Sequence, residues 1–249
     1  MTLNFLVAPD FAPDRFAGWH MLNTLLQARS GLALHLVMPA SAAEQAEHLR
    51  AGRVDLIYAN PFDASHLIRE LGYVALARPR ARSDEMVIAT AAASPAQSVE
   101  GLMKGARIAL TDNRDVKLIG LRLLEPADLA EADLEWVVTE SYQAAARLVI
   151  KREVDAAFFL ADAFHALSRM TLAQLRVLVE SALDDISHVV LAHPRIAGDL
   201  PRIGAALVGV GEVARDAEVL DALGLPQGFV AMTAEEAEFM IDLMDTLQD

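Results

Sequence analysis

The chain contains no cysteine in its 249 residues. Disulfides, thiolate metal sites, a cysteine nucleophile and a lipid-anchored N-terminal cysteine are therefore excluded. Positive charge is also scarce: 21 Lys and Arg stand against 35 Asp and Glu, for a formal net charge of −14. A surface of that sign repels phosphate backbones and anionic lipids, which argues against nucleic-acid and membrane-surface binding. It leaves an anionic small ligand open, because a pocket can carry a field opposite to that of the whole molecule. Long hydrophobic runs are missing as well; none reaches the roughly 20 residues that span a bilayer, so no membrane insertion is expected. The stretch Met1–Ala8 reads as a strand and lacks the basic and long apolar regions of a secretory signal. The expected location is periplasmic if a signal has been removed and cytoplasmic otherwise.

Signatures of catalysis are equally sparse. No pair among the seven histidines has the i, i+4 spacing of a helical zinc site. No Gly-x-Ser-x-Gly elbow occurs. Gly209-Val210-Gly211 is a fragment of a phosphate-loop pattern, but it follows a helix and lacks the third glycine. No metal, no cofactor and no catalytic residue is expected.

What is present is an alternation of short apolar strands and amphipathic helices. Leu3–Ala8, Leu34–Met38, Val54–Ala59, Ala106–Leu110, Leu134–Val138 and Val154–Leu160 read as strands. Helix starts follow them, marked by Ser41-Ala42-Ala43-Glu44 as a capping box and by Asn60-Pro61 as a strand break before a helix. Phe16, Trp19, Leu22 and Leu26 form one stripe of the first helix and are expected in the core. Trp136, in a strand, is expected to be structural. Such an order implies an α/β fold of mostly parallel sheets covered on both faces.

A shift of one hundred residues overlays the middle of the chain on itself. Leu34, Val37, Ser41, Ala46, Val54 and Asp55 match Leu134, Val137, Ser141, Ala146, Val154 and Asp155, and the order of elements agrees. The repeat points to two similar lobes: residues 1–83 as the first part of lobe one, 84–186 as lobe two, and 187–249 as the return to lobe one with the C-terminal helices. The chain is expected to cross between them near Arg82–Glu85 and Asp184–Ser187. Ligands of open α/β sheets bind beyond the carboxyl ends of the strands, where helix N-termini present backbone N–H groups. That rule names candidate ligand-binding residues: Asp10, Phe11, Ser41, Asn60 and Pro61 from lobe one, and Asp112, Asn113, Arg114, Ser141, Tyr142 and Asp162 from lobe two. Each Asp taken singly also reads as a helix-capping or first-turn carboxylate, and Phe11 and Tyr142 also read as half-buried packing.

At these residues the chain resembles the phosphate/phosphite/phosphonate-type substrate-binding proteins of ABC transporters, a branch of the type II periplasmic-binding-protein fold. The resembling pieces run in order along nearly the whole chain: Leu3–Pro9, Leu49–Leu56 leading to Asn60-Pro61, Ser98–Leu110, Thr139–Ala145, Glu153–Ala157, and Leu175–Val190 with Leu200–Leu207. The resemblance implies a solute-binding protein that closes by a hinge on a small polar ligand and works with an ABC permease. It also marks departures. Phosphonate binders of this family carry a Ser/Thr-rich turn where this chain has Asp112-Asn113-Arg114-Asp115-Val116-Lys117, and a His where it has Tyr142. Two carboxylates in a first helical turn already balance the positive end of the helix dipole and repel an oxyanion, so an altered anion site is expected. Two other readings share the same fold: a cytosolic enzyme similar to the chorismate dehydratases, and a ligand sensor acting on a kinase.

Overall fold

A computed structural model describes residues 2–9, 11, 15–183 and 185–246. The chain divides into two compact units, Met1–Ser83 with Asp185–Met244, and Asp84–Asp184 with Asp245–Asp249.

Unit one begins with β1 (Thr2–Val7), α1 (Phe16–Ser30), β2 (Ala33–Val37), α2 (Ala42–Arg50), β3 (Leu56–Ala59), α3 (Pro61–Arg69) and β4 (Val74–Pro79). Unit two follows with β5 (Met86–Ala91), β6 (Arg107–Leu110), α4 (Arg114–Leu123), β7 (Glu135–Val138), α5 (Tyr142–Ile150), β8 (Ala156–Leu160), α6 (Ala161–His165), α7 (Arg169–Leu172) and β9 (Leu175–Glu180). The chain then returns to unit one through β10 (Val189–Ala192), α8 (Leu200–Val208), α9 (Ala217–Leu223), β11 (Phe229–Ala231) and α10 (Ala234–Thr246).

The sheet of unit one has the order β11-β4-β10-β3-β1-β2, and that of unit two β7-β6-β8-β5-β9. In unit one, β1 to β4 point one way and β10 and β11 the other. In unit two, β6 to β9 share a direction and β5 opposes them. Of the opposed strands, β5 and β10 follow a passage from the other unit, and each enters its sheet at the edge where its neighbours end: Met86 pairs with Leu160, and Val189 with Ala59. Helices cover both faces, which is why successive strand residues are buried in alternating directions. In unit two, Met86, Ile88, Ile108 and Phe158 pack with Val116 and Ile119 of α4. Val87, Ala89, Ala109 and Phe159 pack on the other face with Ala145 and Val149 of α5. Gly120 lets α4 lie close, since a Cβ there would stand 2.3 Å from the Phe158 ring.

The internal repeat extends to backbone detail. Ser41 and Ser141 cap α2 and α5 in the same extended conformation, φ −156°, ψ 162° and φ −161°, ψ 156°. Gly52 and Arg152 occupy the same left-handed position after these helices, at φ 62° and 60°. Asp55 accepts the Asn4 N–H at 2.7 Å, and Asp155 accepts the Arg107 N–H at 2.8 Å. Strand orders correspond too, β10-β3-β1-β2 against β5-β8-β6-β7.

Some expectations from sequence are modified. Trp19, Leu22 and Leu26 are core, but Phe16 is 49% exposed because it is the first residue of α1, ahead of the packed turns. After β8 the sequence pattern predicts a helix over Asp162–Ser168; the helix found there, α6, ends at His165, and Ser168 instead caps the separate α7. β11 is a strand the periodicity does not announce, since three residues are too few to show alternation.

Candidate functional site

Parallel βα units place successive helix starts along one edge of their sheet. In unit one that edge holds the ends of β1, β2 and β3, whose spatial order is β3-β1-β2. Ser41, exposed, starts α2; its Oγ accepts the Glu44 N–H at 3.3 Å, and Glu44 Oε2 accepts the Ala40 N–H at 2.7 Å. Asn60 starts α3; its Oδ1 accepts the Asp63 N–H at 2.8 Å, and Pro61, buried, fills the first helical position, where no N–H is needed. Asp63 in turn accepts from the buried Gln45 of α2, which ties the two helix starts together. Phe11 lies half-buried, its ring 6.0 Å from Phe16 and 6.1 Å from Trp19. Asp10 lies outside the described residues.

In unit two the corresponding edge holds the ends of β6, β7 and β8. Asn113 caps α4, its Oδ1 accepting the Val116 N–H at 3.1 Å. Asp112 and Arg114 are exposed beside it, while Asp115 is buried in the first helical turn, 4% exposed. Lys117, the other cation of this turn, is engaged elsewhere: its Nζ donates to Glu131 at 2.5 Å and stands 4.8 Å from the Trp136 ring centre. Ser141 caps α5 by accepting the Ala144 N–H at 3.2 Å. The Thr139 hydroxyl fixes the approach to that cap through the carbonyls of Leu110 (3.0 Å) and Ser141 (3.2 Å). Tyr142 is half-buried with its ring 6.1 Å from Phe159. Asp162 is exposed in the first turn of α6, a helix without a side-chain cap. Ser41, Asn60 and Pro61 thus share one edge, and Asp112, Asn113, Arg114, Ser141, Tyr142 and Asp162 share the edge of the other unit.

Two features of these edges escape the sequence. Tyr58, at the end of β3, is held between Trp19 (4.6 Å) and His188 (4.9 Å, planes 21° apart), which joins Phe11 to the start of β10 in one aromatic row. These residues are far apart in sequence, so no local pattern brings them together. The second is the burial of Asp115, which no local pattern announces.

A pair of perturbed titratable groups lies elsewhere, at the opposite end of β3. There Arg195 donates from Nε to Asp55 at 2.7 Å, and to the carbonyls of Gly52 (2.6 Å) and Val54 (2.9 Å). Burial pushes the Tyr73 hydroxyl, which donates to the Val54 carbonyl, up to about 12. Burial, with the Arg195 charge, also lowers His193. The Arg195 and Tyr73 hydrogen bonds tie the segment before β3 to the residues flanking β4 and β10, and the His193 ring accepts the Arg195 N–H as a helix cap, so these groups serve the fold. Among the described residues no three His, Asp or Glu side chains are grouped to hold a metal ion.

Residues 5–237 match the family model described as the periplasmic phosphonate substrate-binding protein of ABC transporters. The chain belongs to this family. It is a solute-binding protein of the transport class, with the two-sheet α/β architecture of its relatives. Solved structures of similar fold include PhnD1 of Prochlorococcus marinus in complex with methylphosphonate, 13% identical over 99% of this chain and 98% of that one, at a TM-score of 0.81. A Xanthomonas citri protein bound to ATP is 17% identical over 99% and 97%, at 0.80. The periplasmic aliphatic sulphonate-binding protein SsuA of Escherichia coli is 18% identical over 99% and 91%, at 0.68. Comparison with curated proteins gave no match. No helix among the described residues of this phosphonate-family protein is long and apolar enough to cross a membrane.

Proposed function

We propose that this protein captures a small polar solute in the periplasm and delivers it to an ABC permease, acting as a carrier and not as a catalyst. The two strand-tip edges act on one ligand, and the units close on it by bending at the two chain crossings. The observation that carries this reading is the duplication itself, in a chain of this family: each unit offers two capped helix starts along one edge of its sheet. The cap hydroxyls of Ser41 and Ser141 accept a backbone N–H and keep their own protons to donate.

The residues proposed to line the site are Asp10, Phe11, Ser41, Asn60, Pro61, Asp112, Asn113, Arg114, Ser141, Tyr142 and Asp162. The start of α5, the one of these four helix starts with no acidic residue in its first turn, suits an acceptor group, such as the oxygens of a phosphonate or sulphonate. The start of α4 does not, because Asp115 is buried in its first turn and Asp112 stands beside it. The ligand therefore combines an acceptor group with a hydroxyl or ammonium group that donates to the exposed Asp112.

Thermal-shift screening tests this, because a solute selective for the native state raises its melting temperature. A hydroxy- or amino-substituted alkylphosphonate should stabilise the protein more than methylphosphonate does. Calorimetry on Asn60→Ala with Ser141→Ala should then show weakened binding. Unchanged affinity in that variant would remove the strand-tip assignment.

A further inference from the structure

Unit two carries a second concavity, away from its strand tips. It is a groove of about 400 Å³ between the outer face of α5 and the segment joining α6 to α7. Arg147 and Lys151 stand one helical turn apart on the α5 wall, Ser168 and Thr171 form the facing wall, and Ile150 and Leu167 supply an apolar floor. None of its lining residues is acidic, in a chain with 35 Asp and Glu.

The groove is rich in donors that the protein does not consume. Among the described residues the Arg147 guanidinium has no hydrogen-bond or ion-pair partner. Lys151 has Glu153 at 3.7 Å, beyond hydrogen-bond distance. Ser168 and Thr171 share one hydrogen bond of 2.9 Å between their hydroxyls, and the Ser168 oxygen also accepts the Thr171 N–H at 3.2 Å. Two hydroxyls carry two protons, and that pair uses one, so the second is free to donate into the groove. The Gln143 amide is likewise uncommitted. Cations at the end of a helix are favoured by its dipole, which accounts for Arg147 and Lys151 by themselves. It does not account for the unspent donors on the facing element or for a lining without acidic residues.

We propose that this groove is a second binding site, for a small organic oxyanion with a compact apolar body, its oxygens held by Arg147, Lys151 and the free hydroxyl proton of the Ser168–Thr171 pair and its body seated on Ile150 and Leu167. Charge-assisted hydrogen bonds supply the selectivity, and the floor favours a ligand larger than a bare ion. The site does not depend on which solute the strand tips bind.

Benzoate is a suitable probe, with benzamide as its neutral counterpart, titrated into the full chain and followed through backbone amide resonances. Benzoate should give saturable shifts centred on Gln143, Ser168, Thr171 and Gln174, and benzamide should give none there. Arg147→Gln with Lys151→Gln should weaken benzoate about tenfold or more, at an unchanged melting temperature. Thr171→Val should weaken it less, since it removes one hydroxyl. Equal response to benzamide, shifts centred on Asn60 or Asn113, or undiminished affinity in the double variant would overturn the proposal. Inorganic phosphate binding as tightly as benzoate would overturn the role of the apolar floor.

Discussion

Asp55 and Asp155 hold equivalent places in the two units, and the structure makes their removal unequal. Each accepts an N–H of the first strand of its repeat, at 2.7 Å from Asn4 and 2.8 Å from Arg107. Each also returns a backbone bond to that strand, to the Asn4 and Arg107 carbonyls. Asp155, however, is exposed, and water can replace its carboxylate. Asp55 is 3% exposed, and its second oxygen takes the Arg195 Nε at 2.7 Å while that guanidinium also holds the Gly52 and Val54 carbonyls. Asp155→Ala should therefore cost one replaceable hydrogen bond, about 1 kcal/mol. Asp55→Ala should strand a guanidinium and a backbone N–H at once, at about 3 kcal/mol, the lower end for a broken buried pair because Arg195 is itself a third exposed. Urea denaturation of both variants and of Asp55→Ala with Arg195→Met measures this. The double variant should recover part of the loss, since it leaves no unpaired charge. Equal costs for the two aspartates, or no coupling between Asp55 and Arg195, would refute the reasoning.

Asn60→Ala with Ser141→Ala should lower stability by about 1 kcal/mol per lost cap while weakening solute binding in calorimetry. Arg152→Gly should stabilise unit two by a few tenths to about 1 kcal/mol in thermal denaturation, because φ is 60° there and the equivalent position in unit one is already Gly52. Asp216 is buried, which opposes its ionisation, but the Gly211 N–H and the Arg29 guanidinium together hold its carboxyl below its ordinary 3.8. Its contribution is fully present above that ordinary value and is lost as pH falls through the lower folded one. The melting temperature of the native chain should thus fall more steeply below pH 4 than that of Asp216→Asn, and parallel curves would contradict it.

The candidate edges were largely legible because their signals are local. Ser41, Asn60, Asn113 and Ser141 are residues whose short polar side chains reach their own helix's third N–H, so a start can be read from four consecutive residues. The hundred-residue repeat was legible for the same reason, since helix length, cap and the Val-Asp step before β3 and β8 recur together. Lys117 was not: in sequence it is a cation beside a helix start, and only packing turns it to Glu131 and Trp136.

Sequence alone determined the α/β class, the helix starts and the pairing of Ser41 with Ser141, since each depends on residues within one or two turns of one another. Tertiary structure decided the opposed direction of β5 and β10, the Trp19–Tyr58–His188 row, the Arg195 hold on Asp55 and the burial of Asp115. These join residues as far apart as Tyr58 and His188 (130 positions) or Asp55 and Arg195 (140 positions). Contacts of that separation arise from the closing of a sheet, and no window of sequence contains both partners.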